Sequence, residues 1–212
     1  MNILVTGGLG YIGSHVSALL AVSGHSVIVY DDLSNTSLKV FASLLSLCKS
    51  GLVFEQRSLS SRLDVEEVLA KYGIDCVMHF AGSKSVGNAE RNPIAYYKNN
   101  VANSITLLDA MRTKGISKII FSSSATVYGR PSQLPFNEKH PLAPTTTYGT
   151  TKYMIESIID RVSASDLAWR AISLRYFNPI GGHPTGLLGD LYGRSSENIM
   201  PNLINVANRA KK

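Results

Sequence analysis

Long apolar runs are missing from this 212-residue chain. No segment approaches the roughly 18 apolar residues that a membrane span needs, and the opening MNILVTGG meets glycine before any basic flank or cleavage signal. Cysteine is scarce. Cys48 and Cys76 sit in apolar surroundings, SLLSLCKS and GIDCVMHF, without CxxC or paired-histidine spacing, and read as reduced packing residues. His15, His25 and His183 lack acidic or sulfur partners at ligand spacing, so no metal is expected. Charge is sparse as well, at 17% of residues with a net +6. Lysine and arginine are scattered, their only adjacent pair being Lys211-Lys212, and no basic stripe is interleaved with aromatics. That pattern argues against nucleic acid as a partner. The expectation is a soluble, cytoplasmic protein.

What is present is alternation. Short apolar runs rich in Val, Ile and Phe occur at Ile3 to Thr6, Val27 to Tyr30, Leu52 to Glu55, Cys76 to Phe80, Lys118 to Ser122 and Ala171 to Arg175. Their length and composition suit strands buried on both faces of a parallel sheet. Between them lie helical patterns. Residues 11 to 23 place Ile12, Val16, Leu19 and Leu20 at helical spacing before Gly24. Residues 93 to 112 open with Pro93 and align Tyr97, Val101, Ile105 and Leu108. Strand and helix in strict succession predict an α/β fold, a doubly wound parallel sheet of Rossmann type with ligands at the strands' carboxyl ends. After residue 176 the pattern gives way to Gly, Pro and Ser. The reading is therefore a domain over 1–176 and the beginning of a smaller substrate domain over 177–212.

The first strand runs into Thr6-Gly7-Gly8-Leu9-Gly10-Tyr11-Ile12-Gly13. Glycines at 7, 10 and 13 allow a tight turn, close approach of backbone to a pyrophosphate, and close packing of helix on strand. The helix N-terminus then offers N–H groups to the phosphates. The second strand ends in Asp31-Asp32, 24 residues after Gly7, where a carboxylate hydrogen-bonds a ribose 2′-hydroxyl and repels a 2′-phosphate. NAD is favoured over NADP on that ground.

Thr147-Tyr148-Gly149-Thr150-Thr151-Lys152 sets a lysine one helical turn after a tyrosine. Residues i and i+4 share a face, so the ammonium can approach the phenol. The spacing alone also arises by chance. His79, after an apolar strand, reads as a hydrogen-bonded core residue, and Tyr96 and Tyr97 as packing residues beside the apolar stripe.

Several stretches together, TGGLGYIGSH at 6 to 15, DDLSN at 31 to 35, HFAGSKSVG at 79 to 87, YYKNN at 96 to 100, FSSSATVYG at 121 to 129 and RYFNPIGGHP at 175 to 184, resemble the UDP-glucose 4-epimerases. These belong to the extended short-chain dehydrogenase/reductases. The resemblance implies that Gly7, Gly10, Tyr11, Ile12 and Gly13 line the phosphate loop and that Asp31, Asp32 and Asn35 hold the adenosine ribose. It places Phe80, Ala81, Lys84 and Asn99 along the pyrophosphate and nicotinamide ribose. Ser122, Ser124, Tyr148 and Lys152 form its reaction centre, with Tyr148 as base. Tyr176 and Phe177 close around the nicotinamide, while Asn178 and Asn198 join Ser124 and Tyr148 in contacting the UDP-sugar.

The implied reaction interconverts UDP-galactose and UDP-glucose by oxidation at carbon 4 to a ketone and re-reduction on the other face. For Tyr148 to act near pH 7 its pKa must fall by about three units, roughly 4 kcal/mol. Related dehydratases carry an acidic pair after the serine; Ala125-Thr126 stands here, which favours epimerisation. Three departures from the family pattern stand out. Ser58 replaces an Asp beside the adenine; Thr147 and Thr150 flank the tyrosine in place of Pro and a basic residue; and the chain stops at Lys212, ahead of a last third that supplies diphosphate-binding arginines. The alternatives are an epimerase, another nucleotide-sugar epimerase, or a catalytically idle NAD-binding module. The helices expected at 93–112 and 144–164 would pair with their copies in a homodimer.

Overall fold

Each of the six apolar runs becomes a strand of one parallel sheet. The computed structural model describes residues 1–48, 50–190, 203 and 206–208. Its strands are β1 (Asn2–Thr6), β2 (Ser26–Asp31), β3 (Leu52–Gln56), β4 (Cys76–His79), β5 (Lys118–Ser124) and β6 (Arg170–Tyr176). They lie in the order β3-β2-β1-β4-β5-β6, all pairs parallel. The chain leaves β1 toward one edge and returns at β4 on its other side. The carboxyl ends of β1 and β4, where Thr6 registers with both Tyr30 and His79, therefore flank the crevice of the switch point.

Successive side chains of a strand alternate in direction, so a central strand feeds two cores. From β1, Leu4 joins Ile28, Val77, Ile119 and Phe121 under Leu107, Met111, Ile155 and Ile159. Ile3 and Val5 face the other way, with Val27 and Val29, toward Ala18, Val40 and Leu44. Truncating a fully buried member such as Leu107 to Ala would cost about 2–5 kcal/mol. The edge strands are less covered than the expected two-sided burial. β3 has no fully buried residue and exposes Val53 and Gln56, and β6 alternates, leaving Ile172 and Leu174 exposed. An edge strand has one neighbour, and among the described residues β6 has helical cover on one face.

The helices are α1 (Tyr11–Val22), α2 (Leu38–Leu47), α3 (Arg62–Lys71), α4 (Val86–Arg91), α5 (Pro93–Tyr96), α6 (Asn103–Thr113) and α7 (Thr147–Ser165). Side chains of Ser37, Ser61, Ser85 and Thr146 cap α2, α3, α4 and α7 by accepting from backbone N–H groups.

Two helices differ from their sequence patterns. α1 buries Gly13, Ser14, Ser17 and Ala18, while Leu19 is 68% exposed. Close packing on the strands selects small residues there, so the apolar spacing misplaced the inner face. The stretch expected as one helix over 93–112 is α5, a π-helical turn at Tyr97–Ala102, and α6. A π turn takes in an extra residue and rotates the helix beyond it. Ile105 is consequently 47% exposed, and Ser104, Leu107 and Met111 face inward. α7 begins at Thr147 on the Thr146 cap, with Pro144 outside it. No helix among the described residues is long and apolar enough to cross a membrane.

Candidate active site

A cleft of about 570 Å³ opens at the switch point. Gly7 and Gly10 line it with Asp31, Asp32, Asn35, Phe80, Ala81, Lys84, Tyr96 and Asn99. Glycine is required at its floor. Gly7 has φ +65°, and a Cβ there would stand 2.6 Å from Ala81 N; one at Gly13 would stand 2.2 Å from Gly7 O. Loop, α1 and the turn after β4 thus meet backbone to backbone. The α1 N-terminus carries no side-chain cap and no acidic residue in its first turn, leaving its positive end open to an anion. Tyr11 and Ile12 begin that helix, half-buried, and the Tyr11 hydroxyl donates to Gly181 O at 2.7 Å.

Asp31 does more than face the cleft. Its Oδ2 accepts from Leu9 N at 3.1 Å and its Oδ1 from Leu33 N at 3.0 Å, so the acid also shapes the glycine loop. Burial pushes its pKa up, and those two backbone bonds pull it back. Asp32 is exposed and accepts from Ser34 N at 2.9 Å. Lys84 pairs with Asp190 at 3.5 Å, and Asn99 donates to Ser83 Oγ at 3.0 Å.

The reaction-centre residues predicted from sequence converge at the end of β5. One face of α7 carries Tyr148, Thr151, Lys152, Ile155, Glu156 and Ile159, a helical spacing that turns them toward the sheet. Ser124 accepts from Thr126 N at 3.3 Å and from Thr126 Oγ1 at 3.0 Å. Its own proton is not used by either of these bonds. Ser122 takes part through its carbonyl, which accepts from Lys152 Nζ at 2.8 Å.

Burial pushes the Tyr148 pKa up to about 12, against the lowering effect of Ser124 and with a further rise from Tyr96. The three-unit fall required of a base is therefore not supplied by the folded chain's own groups. Burial pulls Lys152 down to about 8, and Glu156 opposes that shift. Glu156 itself is held by Arg175, Nη2 to Oε2 at 2.8 Å, and Arg175 donates to the Tyr128 hydroxyl at 3.2 Å.

Other expected residues stand apart. Tyr176 ends β6 half-buried; Phe177, 60% exposed, packs its ring 5.9 Å from Phe136; and Asn178 is exposed. Asn198 lies outside the described residues. Sequence reasoning missed Asn100, Thr151, Glu156 and Arg175. The helical period counted from Tyr148 reaches Thr151 and Glu156; only the π turn brings Asn100 inward.

Crevice and glycine cradle define an α/β protein of the dinucleotide-binding class. More narrowly, the chain belongs to the NAD dependent epimerase/dehydratase family, whose model matches residues 3–212. It is similar to the UDP-glucose 4-epimerase of Neisseria meningitidis serogroup A, 43% identical over 97% of this chain and 61% of the relative. A UDP-glucose 4-epimerase of Bacillus subtilis is also 43% identical, over 98% and 61%. Among solved structures, the UDP-glucose 4-epimerase from Stenotrophomonas maltophila with bound NAD and formylated UDP-arabinopyranose gives a TM-score of 0.95 at 38% identity, covering 99% of this chain and 62% of that one. That from Bifidobacterium longum, in complex with NAD+ and UDP, gives 0.89 at 39%, covering 92% and 58%. The chain thus spans about three fifths of the length of these relatives.

Proposed function

We propose that this chain carries the NAD site and reaction centre of a UDP-glucose 4-epimerase, interconverting UDP-galactose and UDP-glucose. The observation that carries the reading is a buried Lys152 set 5.9 Å from the Tyr148 ring and bonded to the end of β5, the strand that carries Ser124, beside a glycine-cradled cleft. Gly7, Gly10 and the α1 N-terminus would hold the pyrophosphate, Asp31, Asp32 and Asn35 the adenosine ribose, and Lys84, Asn99 and Lys152 the nicotinamide side. Tyr176 and Phe177 would close that side, and Asn178 and Asn198 would reach toward the UDP-sugar. When bound, NAD supplies the hydride acceptor and donor at carbon 4 and a positive ring near Tyr148.

The chain's own groups manage the proton. Tyr148, as phenolate, takes the proton of the sugar 4-hydroxyl during oxidation and returns it to the same oxygen during reduction. Ser124 donates a hydrogen bond to that oxygen. Lys152, while protonated, stabilises the phenolate across a dry site, where its charge acts more strongly than in water. Ala125 and Thr126 follow Ser124, in place of an acidic pair that would expel water from the ketone. Oxidation and re-reduction therefore complete the cycle.

In the same reading 1–176 forms the cofactor domain and 177–212 the start of a substrate domain, and the protein works in the cytoplasm. Exposed Ile94 and Ile105 on α5 and α6, with Tyr153 and Met154 on α7, support a homodimer through these helices. The test is a coupled assay of UDP-glucose formation from UDP-galactose beside calorimetry with NAD. Turnover supports the epimerase reading; NAD binding without turnover leaves the idle NAD-binding module.

A further inference from the structure

The cleft crosses the sheet in strand order. β3 is outermost in the run β3-β2-β1-β4, so a dinucleotide with its pyrophosphate at the glycine loop after β1 and its ribose at Asp31 after β2 brings its base to the turn after β3. That turn is Arg57-Ser58-Leu59. Ser58, at the position of the family's Asp, spends its hydroxyl within the turn: Oγ lies 2.9 Å from Ser60 Oγ and accepts from Ser60 N at 3.3 Å. Ser58 does not line the cleft, whereas Arg57 and Leu59 do.

The turn is fixed to the neighbouring strand. Arg57 N donates to Asp31 O at 3.3 Å, and the buried Tyr30 donates its hydroxyl to Ser58 O at 2.9 Å. The guanidinium is fixed as well. Nη1 meets Asp64 Oδ1 at 2.6 Å and Nη2 meets Glu67 Oε2 at 3.3 Å, both on α3, while Nε stands 3.8 Å from Glu55 Oε2 on β3. A guanidinium carries its donors in its own plane, so carboxylates set around it occupy the edge and leave the flat face. The side chain still keeps 32% of its surface exposed on the cleft that it lines. A planar cation clamped by its edge is a platform for an aromatic ring, and the ring that the strand order brings to it is a purine.

We propose that Arg57 is an adenine-binding residue of the dinucleotide site, its guanidinium face stacking on the base while Asp64 and Glu67 hold it in place. The proposal rests on the reading of the cleft as an NAD site and needs no epimerase turnover for its test. Stacking asks for a flat π system and for no particular hydrogen-bonding edge, so the site should accept another purine in place of adenine.

The experiment is calorimetry with NAD and with nicotinamide hypoxanthine dinucleotide on the wild-type chain, Arg57→Ala, Arg57→Lys and Lys71→Ala, each with a thermal melt. Arg57→Ala is expected to weaken NAD about fivefold, the size of an exposed cation–π contact. Arg57→Lys keeps the charge but neither the plane nor its fork to two carboxylates, and should weaken NAD about as much. Lys71 pairs with Glu55 at 2.8 Å and does not line the cleft, so Lys71→Ala disturbs the same cluster from outside and should bind NAD normally. The wild-type chain should bind the hypoxanthine dinucleotide within about fivefold of NAD, and a larger loss overturns the proposal, because the base is then read through its amino group. It is overturned also if Arg57→Ala binds NAD within about twofold of wild type, or if Lys71→Ala weakens NAD equally. Wild-type affinity in Arg57→Lys overturns it by showing that charge suffices, and this variant decides if Arg57→Ala does not fold. A wild-type chain that binds neither dinucleotide overturns the reading of the cleft as well, which separates the two failures.

Discussion

Lys152 Nζ donates to the Ser122 carbonyl at 2.8 Å and stands 5.9 Å from the centroid of the Tyr148 ring. Phe121 presents its ring 4.9 Å away on another side. The ammonium is thus fixed by a strand carbonyl and two aromatic faces, with Glu156 one turn along α7 raising its pKa and burial lowering it. Tyr148 has the opposite problem, a neutral phenol held neutral by burial. Both shifts favour uncharged forms, so the folded chain stores an electrostatic cost that a bound anion, or a phenolate beside the ammonium, would relieve.

That cost is measurable as stability. An unfolded lysine titrates near pH ~10.4, and folded Lys152 near 8. Between these values the unfolded chain binds more protons, so the cost is fully present below the folded pKa and disappears as pH rises through the unfolded one. Lys152→Met removes the titration. The variant should melt above wild type at pH 7, by on the order of 3 kcal/mol, and the gap should close toward pH ~10. Parallel melting curves at every pH would show that the charge carries no penalty.

The strands and the glycine loop were legible because their signals are local: β-branched runs bounded by turns, and glycines where backbone meets backbone. All six strands lie where the apolar runs predicted, with ends moved by one or two residues. Helix faces were less legible. Close packing reversed the sense of the α1 stripe, since Ser17 and Ala18 go inward and Leu19 outward, and the π turn has no signature in the apolar period. Within the candidate site, Tyr148, Lys152 and Ser124 were nominated by their spacing and by the resemblance. The second set, Asn100, Thr151, Glu156 and Arg175, acts through hydrogen bonds between elements remote in sequence, which no local pattern reports.

Asp31 braces the glycine loop and, in the proposed reading, also holds the ribose, and its substitution should reveal both. The carboxylate accepts from Leu9 N and Leu33 N, so Asp31→Ala leaves two donors unpaired near the glycine loop. Stability should fall by about 1–3 kcal/mol, and affinity for both dinucleotides with it. The preference for NAD over NADP should narrow, because the repulsion of a 2′-phosphate is gone. Calorimetry with each dinucleotide and a thermal melt check the two effects; equal wild-type affinities would remove the ribose role.

Arg175 and Glu156 tie β6 to α7 through contacts of 2.8 to 3.3 Å. Glu156 is the more deeply buried partner. Arg175→Ala would leave its carboxylate without a counter-charge and Tyr128 without a donor, a loss of roughly 3 kcal/mol or more. Glu156→Gln should cost less, since Arg175 is partly exposed and can turn to water. Chemical denaturation of both variants measures the difference, and equal losses would contradict the asymmetry in burial.

Tyr148→Phe tests the proposed chemistry most directly. Removal of the phenol oxygen leaves Lys152 still bonded to Ser122 O and the glycine cradle untouched. NAD affinity should therefore stay within about threefold of wild type, a change of less than one kcal/mol. Loss of one polar oxygen should move stability by only about 1 kcal/mol. Turnover of UDP-galactose should drop by ~10²- to 10⁴-fold, the range for a missing general base, because Ser124 alone is too weak a proton acceptor to replace it. The measurement pairs the coupled assay with calorimetry on the same preparations. A variant that folds, binds NAD and turns over at the wild-type rate would assign the proton transfer to another group, and the spacing of Tyr148 and Lys152 would then serve the fold alone.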